Sequence, residues 1–173
     1  MLFWDDICND LGKDENVFFG HYPQFKSADD PVKRHDSALW NELTTLLRSD
    51  GVIGFLDRTN MAGFSFQKSE LDPIREFYFN WNTPEREFIK PELEKIREEL
   101  WSEVDAYYGL IATETFPGNN PEFSTVPPEW EFEQPDRFWR VVKALHTHAG
   151  KIVELHAKIV RVGRGKLLLS SGN

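Results

Sequence analysis

Histidines and glycines at particular spacings are the residues that would carry metal or phosphate chemistry in this chain. Helical metal sites need ligands three or four residues apart, whereas His146 and His148 are two apart, so on a helix their side chains diverge by about 200°. His156 falls within an apolar pattern, which predicts a hydrogen-bonded histidine in the core or at its boundary. Residues 163–166 (Gly-Arg-Gly-Lys) lack the spacing of a phosphate-binding loop and instead predict a helix end.

Nucleophilic chemistry would require an activated cysteine or serine. Cys8 is the only cysteine, so it cannot form an internal disulfide, and a reducing cytoplasm is the expected location. The sequence places no histidine beside Cys8 and contains no Gly-x-Ser-x-Gly elbow, and we interpret Cys8 as a small hydrophobe. We therefore predict no metal, no cofactor and no nucleophilic catalyst.

One pair of residues supports an enzymatic alternative. Arg140 is followed after five residues by His146 within a basic stretch of helical pattern. This spacing resembles the Arg-x4-6-His motif of HEPN-type ribonucleases, which are small helical bundles, and the resemblance covers this one helix. It implies that Arg140 would hold a phosphate while His146 handles a proton. Val141 stands where that family favours a polar side chain.

Two further groups of residues are candidates for binding a partner. A basic stripe at helical spacing could meet nucleic acid or an anionic surface, although we favour a solvated face that an acidic helix partly neutralises. A second group could present acidic and aromatic side chains, although we expect its two aromatic rings to anchor it to the bundle, because large rings are unfavourable in water. The stripe comprises Arg140, Lys143, Lys151, Lys158 and Arg161, and the second group comprises Glu129, Trp130, Glu131 and Phe132.

Length and composition predict one globular domain. The chain has 173 residues, of which 40% are hydrophobic and 14% aromatic, so it can build a core without disulfides or metals. Its net charge of −9 would repel a phosphate backbone unless basic residues are segregated. No window approaches the roughly 18 to 20 apolar residues that span a bilayer, and the acidic N-terminus is not typical of an export signal.

Two apolar seams predict an all-α bundle dominated by a long antiparallel helix pair. The helices are expected at about 91–115 and 135–163, because apolar residues advance there in steps of three and four. The first seam comprises Leu93, Ile96, Leu100, Val104, Tyr107 and Ile111, and the second comprises Phe138, Val141, Leu145, Ala149, Ile152, His156 and Ile159.

Charge supports the pairing of these two helices. Residues 84–106 hold eight acidic and four basic side chains, whereas residues 137–166 hold eight basic side chains and the single acidic residue Glu154. Opposite charges should therefore face each other across the pair. Exposed ion pairs contribute only about 0–1 kcal/mol each, so burial of the seams is the expected source of stability.

Shorter elements are expected to pack at one end of this pair. Asp30-Pro31 and Asp72-Pro73 each place a capping residue before a proline and predict a helix start. Residues 52–66 fit either a helical turn or a short strand, and five prolines within 117–135 predict a long loop. The predicted organisation is an irregular N-terminal arm (1–30), a single helical domain (31–166) and a frayed tail (167–173).

These patterns favour a non-enzymatic module for protein interaction. A scaffold, a regulator and an acidic inhibitor of the immunity type are the forms that we expect, because an acidic protein can mask a basic partner. The predicted partner is another protein or a second copy of this chain, with no membrane span, and nucleic acid is not the expected ligand. The alternative is a HEPN-like ribonuclease that uses Arg140 and His146.

Overall fold

The computed structural model describes residues 30–168 of the chain. Contacts divide the chain into two units, residues 1–34 and 35–173, whereas the sequence predicts a boundary after residue 30. The structure describes the last five residues of the first unit, which lead into the first helix. The predicted irregular arm falls on residues 1–29, outside the described residues, and stays a prediction.

Helix α1 (Pro31–Leu46) begins where the Asp30-Pro31 pair predicts it. The carboxylate of Asp30 accepts a hydrogen bond from the backbone N–H of Val32 at 3.0 Å, which satisfies a donor of the first turn. The helix ends before Gly51. This glycine has a φ of −104°, so it does not adopt the left-handed conformation that glycine often supplies at a helix end.

Two short helices follow α1. Within residues 52–66, which the sequence left open between a helical turn and a strand, Val52–Arg58 form helix α2, which buries Val52, Ile53 and Leu56. Helix α3 (Asp72–Asn80) starts at the predicted Asp72-Pro73 pair and buries Ile74 and Phe77. A 3₁₀ turn follows at Pro84–Arg86. The first long helix begins only at Pro91, because a proline disfavours helical backbone at the residue before it.

Helices α4 (Pro91–Glu114) and α6 (Pro135–Gly163) confirm the predicted long antiparallel pair. With 24 and 29 residues, they are about 36 and 44 Å long at 1.5 Å per residue. The predicted seams form the centre of the core, with Ile111 half-buried and the other members fully buried. Burial of these side chains is the main source of stability, at about 25 cal/mol per Å² of apolar surface.

Ion pairs between α4 and α6 agree with the predicted charge complementarity. Glu114 pairs with Arg137 at 2.8 Å where α4 ends and α6 begins. Glu92 pairs with Lys166 at 3.0 Å at the opposite end of the pair. The two pairs lie at opposite ends of the helix pair, as an antiparallel arrangement requires. Exposed ion pairs of this kind contribute little stability each.

The segment between α4 and α6 contains strands that the sequence analysis did not predict. Strands β1 (Phe66–Gln67), β2 (Phe116–Pro117) and β3 (Phe123–Thr125) form a small antiparallel sheet in the order β1-β3-β2. A single helical turn, α5 (Trp130–Glu133), follows. Strands of two or three residues are too short to show alternating hydrophobicity, so the sequence carried no pattern from which to predict them.

The C-terminal end of α6 differs from the predicted frayed tail (167–173). Arg164–Leu168 form a π-helical turn that continues α6. Leu167 is buried in this turn and joins the core, so the structured part of the chain extends at least to residue 168. Residues 169–173 lie outside the described residues.

Buried polar side chains tie the short helices to the long pair. Asp36 on α1 is fully buried, and its two carboxylate oxygens accept the backbone N–H groups of Ile89 and Lys90 at 2.8 and 2.9 Å. Trp40 on α1 donates its indole N–H to the carbonyl oxygen of Ile159 at 3.2 Å. These bonds hold α1 beside the start of α4 and the end of α6.

His156 provides a pH-dependent contribution to stability. Burial lowers its pKa below the usual 6.5, against a smaller raising effect from a hydrogen bond to the Leu47 backbone. The unfolded chain therefore binds more protons than the folded chain as the pH falls through about 6.5, and folding loses stability in that range. We expect the His156→Leu variant to lose less stability than wild type between pH 7.5 and 5.5, measured by urea unfolding at each pH.

An exposed histidine supplies the control for this experiment. The His35→Leu variant makes the same replacement at an exposed position of α1 and serves as the reference for the substitution itself. Parallel pH profiles for wild type and His156→Leu would contradict the assignment to His156.

Candidate interaction surfaces

The loop between α4 and α6 is held in place by the small sheet and by a pair of hydroxyl groups. Phe116 lies opposite Thr125 and Pro117 opposite Ser124 in the antiparallel register. The buried Ser124 hydroxyl donates a hydrogen bond to the hydroxyl of Thr115 at 3.0 Å. The proline-rich segment therefore has a defined path between the two long helices.

Trp130 anchors the end of this loop, as predicted. Its half-buried ring packs edge-on against Phe116, with the ring centroids 5.8 Å apart. The guanidinium carbon of Arg137 lies 3.7 Å from the centroid of the same ring, within cation–π range. Arg137 also pairs with Glu114, so one arginine joins the loop to both long helices.

Phe132 does not anchor the loop, and our prediction for this ring is wrong. Its side chain is 85% exposed. Side chains two positions apart on a helical turn point about 200° apart. Because the ring of Trp130 faces the bundle, the ring of Phe132 on the same turn points into solvent. The periodicity of the turn thus decides which of the two aromatic rings is buried.

Three glutamates flank the exposed ring in the sequence. Glu129, Glu131 and Glu133 are all exposed, and none has an ion-pair partner within residues 30–168. We call residues 129–133 the acidic turn. It presents one exposed aromatic ring beside three unpaired carboxylates, whereas the sequence analysis favoured an anchoring role for both of its rings.

The basic stripe on α6 separates into paired and unpaired cations. Lys151 pairs with Glu103 at 3.1 Å and Lys158 with Glu99 at 3.4 Å, so the acidic helix neutralises the middle of the stripe. The remaining stripe members are exposed and form no ion pair with any described residue. These unpaired members are Arg140, Lys143 and Arg161.

The predicted ribonuclease residues emerge from different faces of α6. Six positions along an α-helix correspond to directions about 120° apart and a separation of about 9 Å along the axis. The Nε2 atom of His146 accepts a hydrogen bond from the backbone N–H of Met61 at 3.0 Å. His146 therefore uses its lone pair to hold the segment after α2, and no contact joins it to Arg140 in the described part of the chain.

His148 forms a contact that the sequence analysis did not predict. Its Nδ1 atom lies 2.7 Å from a carboxylate oxygen of Glu103, whose other oxygen meets Lys151. Burial raises the pKa of Glu103, but the hydrogen bonds from His148 and Lys151 outweigh this effect and leave the pKa lowered. The cluster links α4 to α6 through a carboxylate that stays charged.

A second exposed aromatic group lies on α3 and α4. The ring of Tyr78 stacks on Trp101 with centroids 5.7 Å apart and lies 5.0 Å from the ring of Tyr108. Phe79 packs edge-on against Tyr78 and is 64% exposed. This group bears an exposed ring comparable to Phe132.

The described residues contain no metal-ligand cluster and no membrane-spanning candidate. Within residues 30–168, histidine, cysteine, aspartate and glutamate side chains nowhere gather in threes that could hold a metal ion. No helix in this range combines the length and apolar character needed to cross a bilayer. Cys8 lies outside the described residues.

Comparisons with known proteins identify no relative. No protein-family model, no curated protein and no solved structure matches the chain.

Proposed function

We propose that this chain is a non-enzymatic protein-interaction module that binds a basic protein through its acidic turn. The observation that carries the proposal is the 85% exposure of Phe132 beside three unpaired glutamates. Burial of a phenylalanine side chain contributes about 1.5–3 kcal/mol of free energy, and an exposed phenylalanine does not contribute this to folding. A partner that covers the ring would recover this energy on binding.

Charge favours a basic partner over an acidic one. The glutamates of the acidic turn would face lysine or arginine side chains on the partner, and the net charge of −9 would speed the encounter. Aromatic residues near the centre of an interface often carry most of its binding energy, while surrounding charges supply specificity. In this chain Phe132 would supply the binding energy and the flanking glutamates the specificity. An acidic inhibitor that masks a basic surface would use the same arrangement.

Self-association is the other form of the proposed function. Two acidic turns would repel each other, so a dimer would have to use a different surface, such as the exposed ring of Phe79. Size-exclusion chromatography with light scattering distinguishes the two forms. A dimer that survives the Phe132→Ser substitution and dissociates with Phe79→Ser would favour the scaffold form.

The Phe132→Ser variant is expected to lose the partner. Removing a central aromatic contact should weaken the complex at least about tenfold, whereas Phe79→Ser, an equally drastic change at an exposed ring elsewhere, should leave binding intact. Immobilised wild type and both variants are exposed to native cell extract, and the retained proteins are quantified by mass spectrometry. Retention by wild type should fall as salt rises, because salt screens the charges of the glutamates.

Two results would contradict the masking role. One is a partner that Phe132→Ser and wild type retain equally. The other is a partner of acidic composition whose retention does not depend on salt, since neither property fits recognition by carboxylates around a phenylalanine.

A further inference from the structure

An open cleft lies on the outer side of α6, at the position where the segment after α2 packs against it. Its volume is about 550 Å³, and its lining includes Asn60, Trp139, Val142, Lys143, His146 and Thr147. The residues contributed by α6 recur at helical spacing and share one face of the helix. The lining contains one cation and no carboxylate.

The polar groups of this cleft offer hydrogen-bond donors. The side-chain oxygen of Asn60 accepts the backbone N–H of Ala62 at 2.9 Å, and its NH₂ group donates to no residue within 30–168. His146 Nε2 accepts the N–H of Met61, so the neutral ring carries its hydrogen on Nδ1 as a second unused donor. The Lys143 ammonium, which pairs with no carboxylate in the described part of the chain, is the third.

An aromatic platform stands beside these donors. The side chain of Trp139 is 52% exposed, although it belongs to a helix packed in the core. Its ring meets the buried ring of Phe138 edge-on, with centroids 5.1 Å apart and planes at 85°. Trp139 therefore packs against a buried neighbour while about half of its side chain remains exposed.

The geometry points to a nucleotide-binding site in this cleft, with the phosphate held by Lys143, Asn60 and His146 and the base stacked on Trp139. Three separate donors suit the three oxygens of a phosphate monoester better than the two oxygens of a carboxylate. A planar base suits an open indole ring, because stacking on aromatic side chains is the general means by which proteins hold unpaired bases. This departs from our sequence-based expectation that nucleic acid is not a ligand.

Charges around the cleft orient this ligand. Arg140 lies three residues before Lys143, one turn away, and is likewise unpaired within residues 30–168. An adjoining cleft that shares Asn60 and His146 is lined by both Asp57 and Arg58, whose opposite charges largely cancel there. The phosphate is therefore placed at Lys143, the cation of the first cleft, with Arg140 one turn away.

Binding of adenosine monophosphate and of a fluorescent single-stranded oligouridylate tests the site at low salt. The Lys143→Ala and Trp139→Leu variants should each bind about tenfold more weakly than wild type. Two matched changes serve as controls: Lys158→Ala removes a cation that is paired with Glu99 on the same helix, and Phe79→Leu alters an exposed ring on another surface. Both controls should bind like wild type.

The two probes distinguish the source of the nucleotide. Tight binding of the monophosphate with no gain for the oligomer indicates a free nucleotide. Much tighter binding of an oligomer that the monophosphate displaces indicates a single strand. Either result supports the site, and circular dichroism and thermal unfolding establish that each variant is folded. Lys143 is exposed, so the Lys143→Ala variant should stay folded and test the site even if Trp139→Leu unfolds.

Several results would overturn the proposal. If wild type binds neither probe, the cleft is not a nucleotide site. The same conclusion follows if Lys143→Ala and Lys158→Ala weaken nucleotide binding equally. Inorganic phosphate that binds as well as the monophosphate removes the role of Trp139. An acidic polyglutamate peptide that displaces the nucleotide with equal affinity would assign the cleft to a protein ligand instead.

Discussion

The Arg97→Ala variant is expected to lose about 3–5 kcal/mol in its free energy of unfolding, the largest effect of any substitution considered for this chain. Arg97 is 3% exposed, within the core of the bundle. Its guanidinium binds both carboxylate oxygens of Glu94 and donates to the carbonyl oxygen of Trp81. Glu94 in turn accepts the backbone N–H of Phe88 at 2.8 Å, so one network joins α3, the 3₁₀ segment and α4.

Removing the arginine leaves its partners without compensation. The Glu94 carboxylate would remain poorly exposed without a counter-charge, and the Trp81 carbonyl would lose its donor, which are both costly in a low-dielectric interior. Replacing both charged residues, in Glu94→Gln with Arg97→Met, should cost less than Arg97→Ala alone. Arg97→Lys should fall between wild type and Arg97→Ala, because an ammonium cannot make the forked contact.

Urea unfolding at neutral pH measures these differences. The control is Arg75→Ala, which breaks an exposed ion pair with Asp72 and should change stability by about 0–1 kcal/mol. An Arg97→Ala protein within about 1 kcal/mol of wild type would show that the buried network contributes no more than a surface pair.

The Gly163→Ala variant is expected to lose about 1–3 kcal/mol, although alanine favours helix over glycine. A Cβ atom at this position would overlap the indole ring of Trp40, which is buried against the end of α6. The ring would have to move, and with it the hydrogen bond from its N–H to the carbonyl oxygen of Ile159. Gly163 is therefore needed for the close approach of α1 to α6.

Two comparisons isolate this close contact. Gly150 lies on the same helix with open space around it, so Gly150→Ala should stabilise the protein by about 0.5–1 kcal/mol, the opposite sign. In a Trp40→Leu background, Gly163→Ala should cost much less than in wild type, because its steric partner is gone. Equal costs in both backgrounds, measured by urea unfolding, would disprove the clash as the cause.

The stability experiments and the binding experiments address different parts of the molecule. Arg97 lies near the start of α4 and Gly163 at the end of α6, whereas the acidic turn lies where α4 ends and α6 begins. A change in partner binding by Phe132→Ser therefore involves none of the contacts that Arg97 or Gly163 makes. Unfolding curves for Phe132→Ser should match wild type, because the exposed ring adds little to the core.

Local pattern was sufficient to predict the scaffold. The apolar residues of α4 and α6 follow the helical period over many turns, so the sum of many weak preferences identifies the two helices and the faces that they bury. Opposite charge on the two stretches predicted their pairing, which the contact of Glu114 with Arg137 exemplifies. The Asp30-Pro31 and Asp72-Pro73 pairs marked helix starts because proline suits the first turn of a helix. Asp30 is the predicted cap, whereas Asp72 is the first residue of its helix and forms no capping hydrogen bond.

The functional surfaces required knowledge of how distant segments meet. Sequence placed Trp130 and Phe132 in one candidate group, but only the packing of Trp130 on Phe116 and Arg137 turned the other ring into solvent. The basic stripe likewise divided into paired and unpaired cations according to where α4 places its glutamates.

Long-range contacts also decided the smallest features. Met61 and His146 are 85 positions apart in the chain, and their hydrogen bond leaves the Nδ1–H of the neutral His146 ring as a donor. Trp40 bonds to the α6 backbone 119 positions away, and its ring leaves no room for a side chain at Gly163. The spacing of residues along a helix is set by its own geometry, so a periodic pattern reveals it. The identity of a neighbour from elsewhere in the chain depends on how all the helices pack together, and no local pattern records that arrangement.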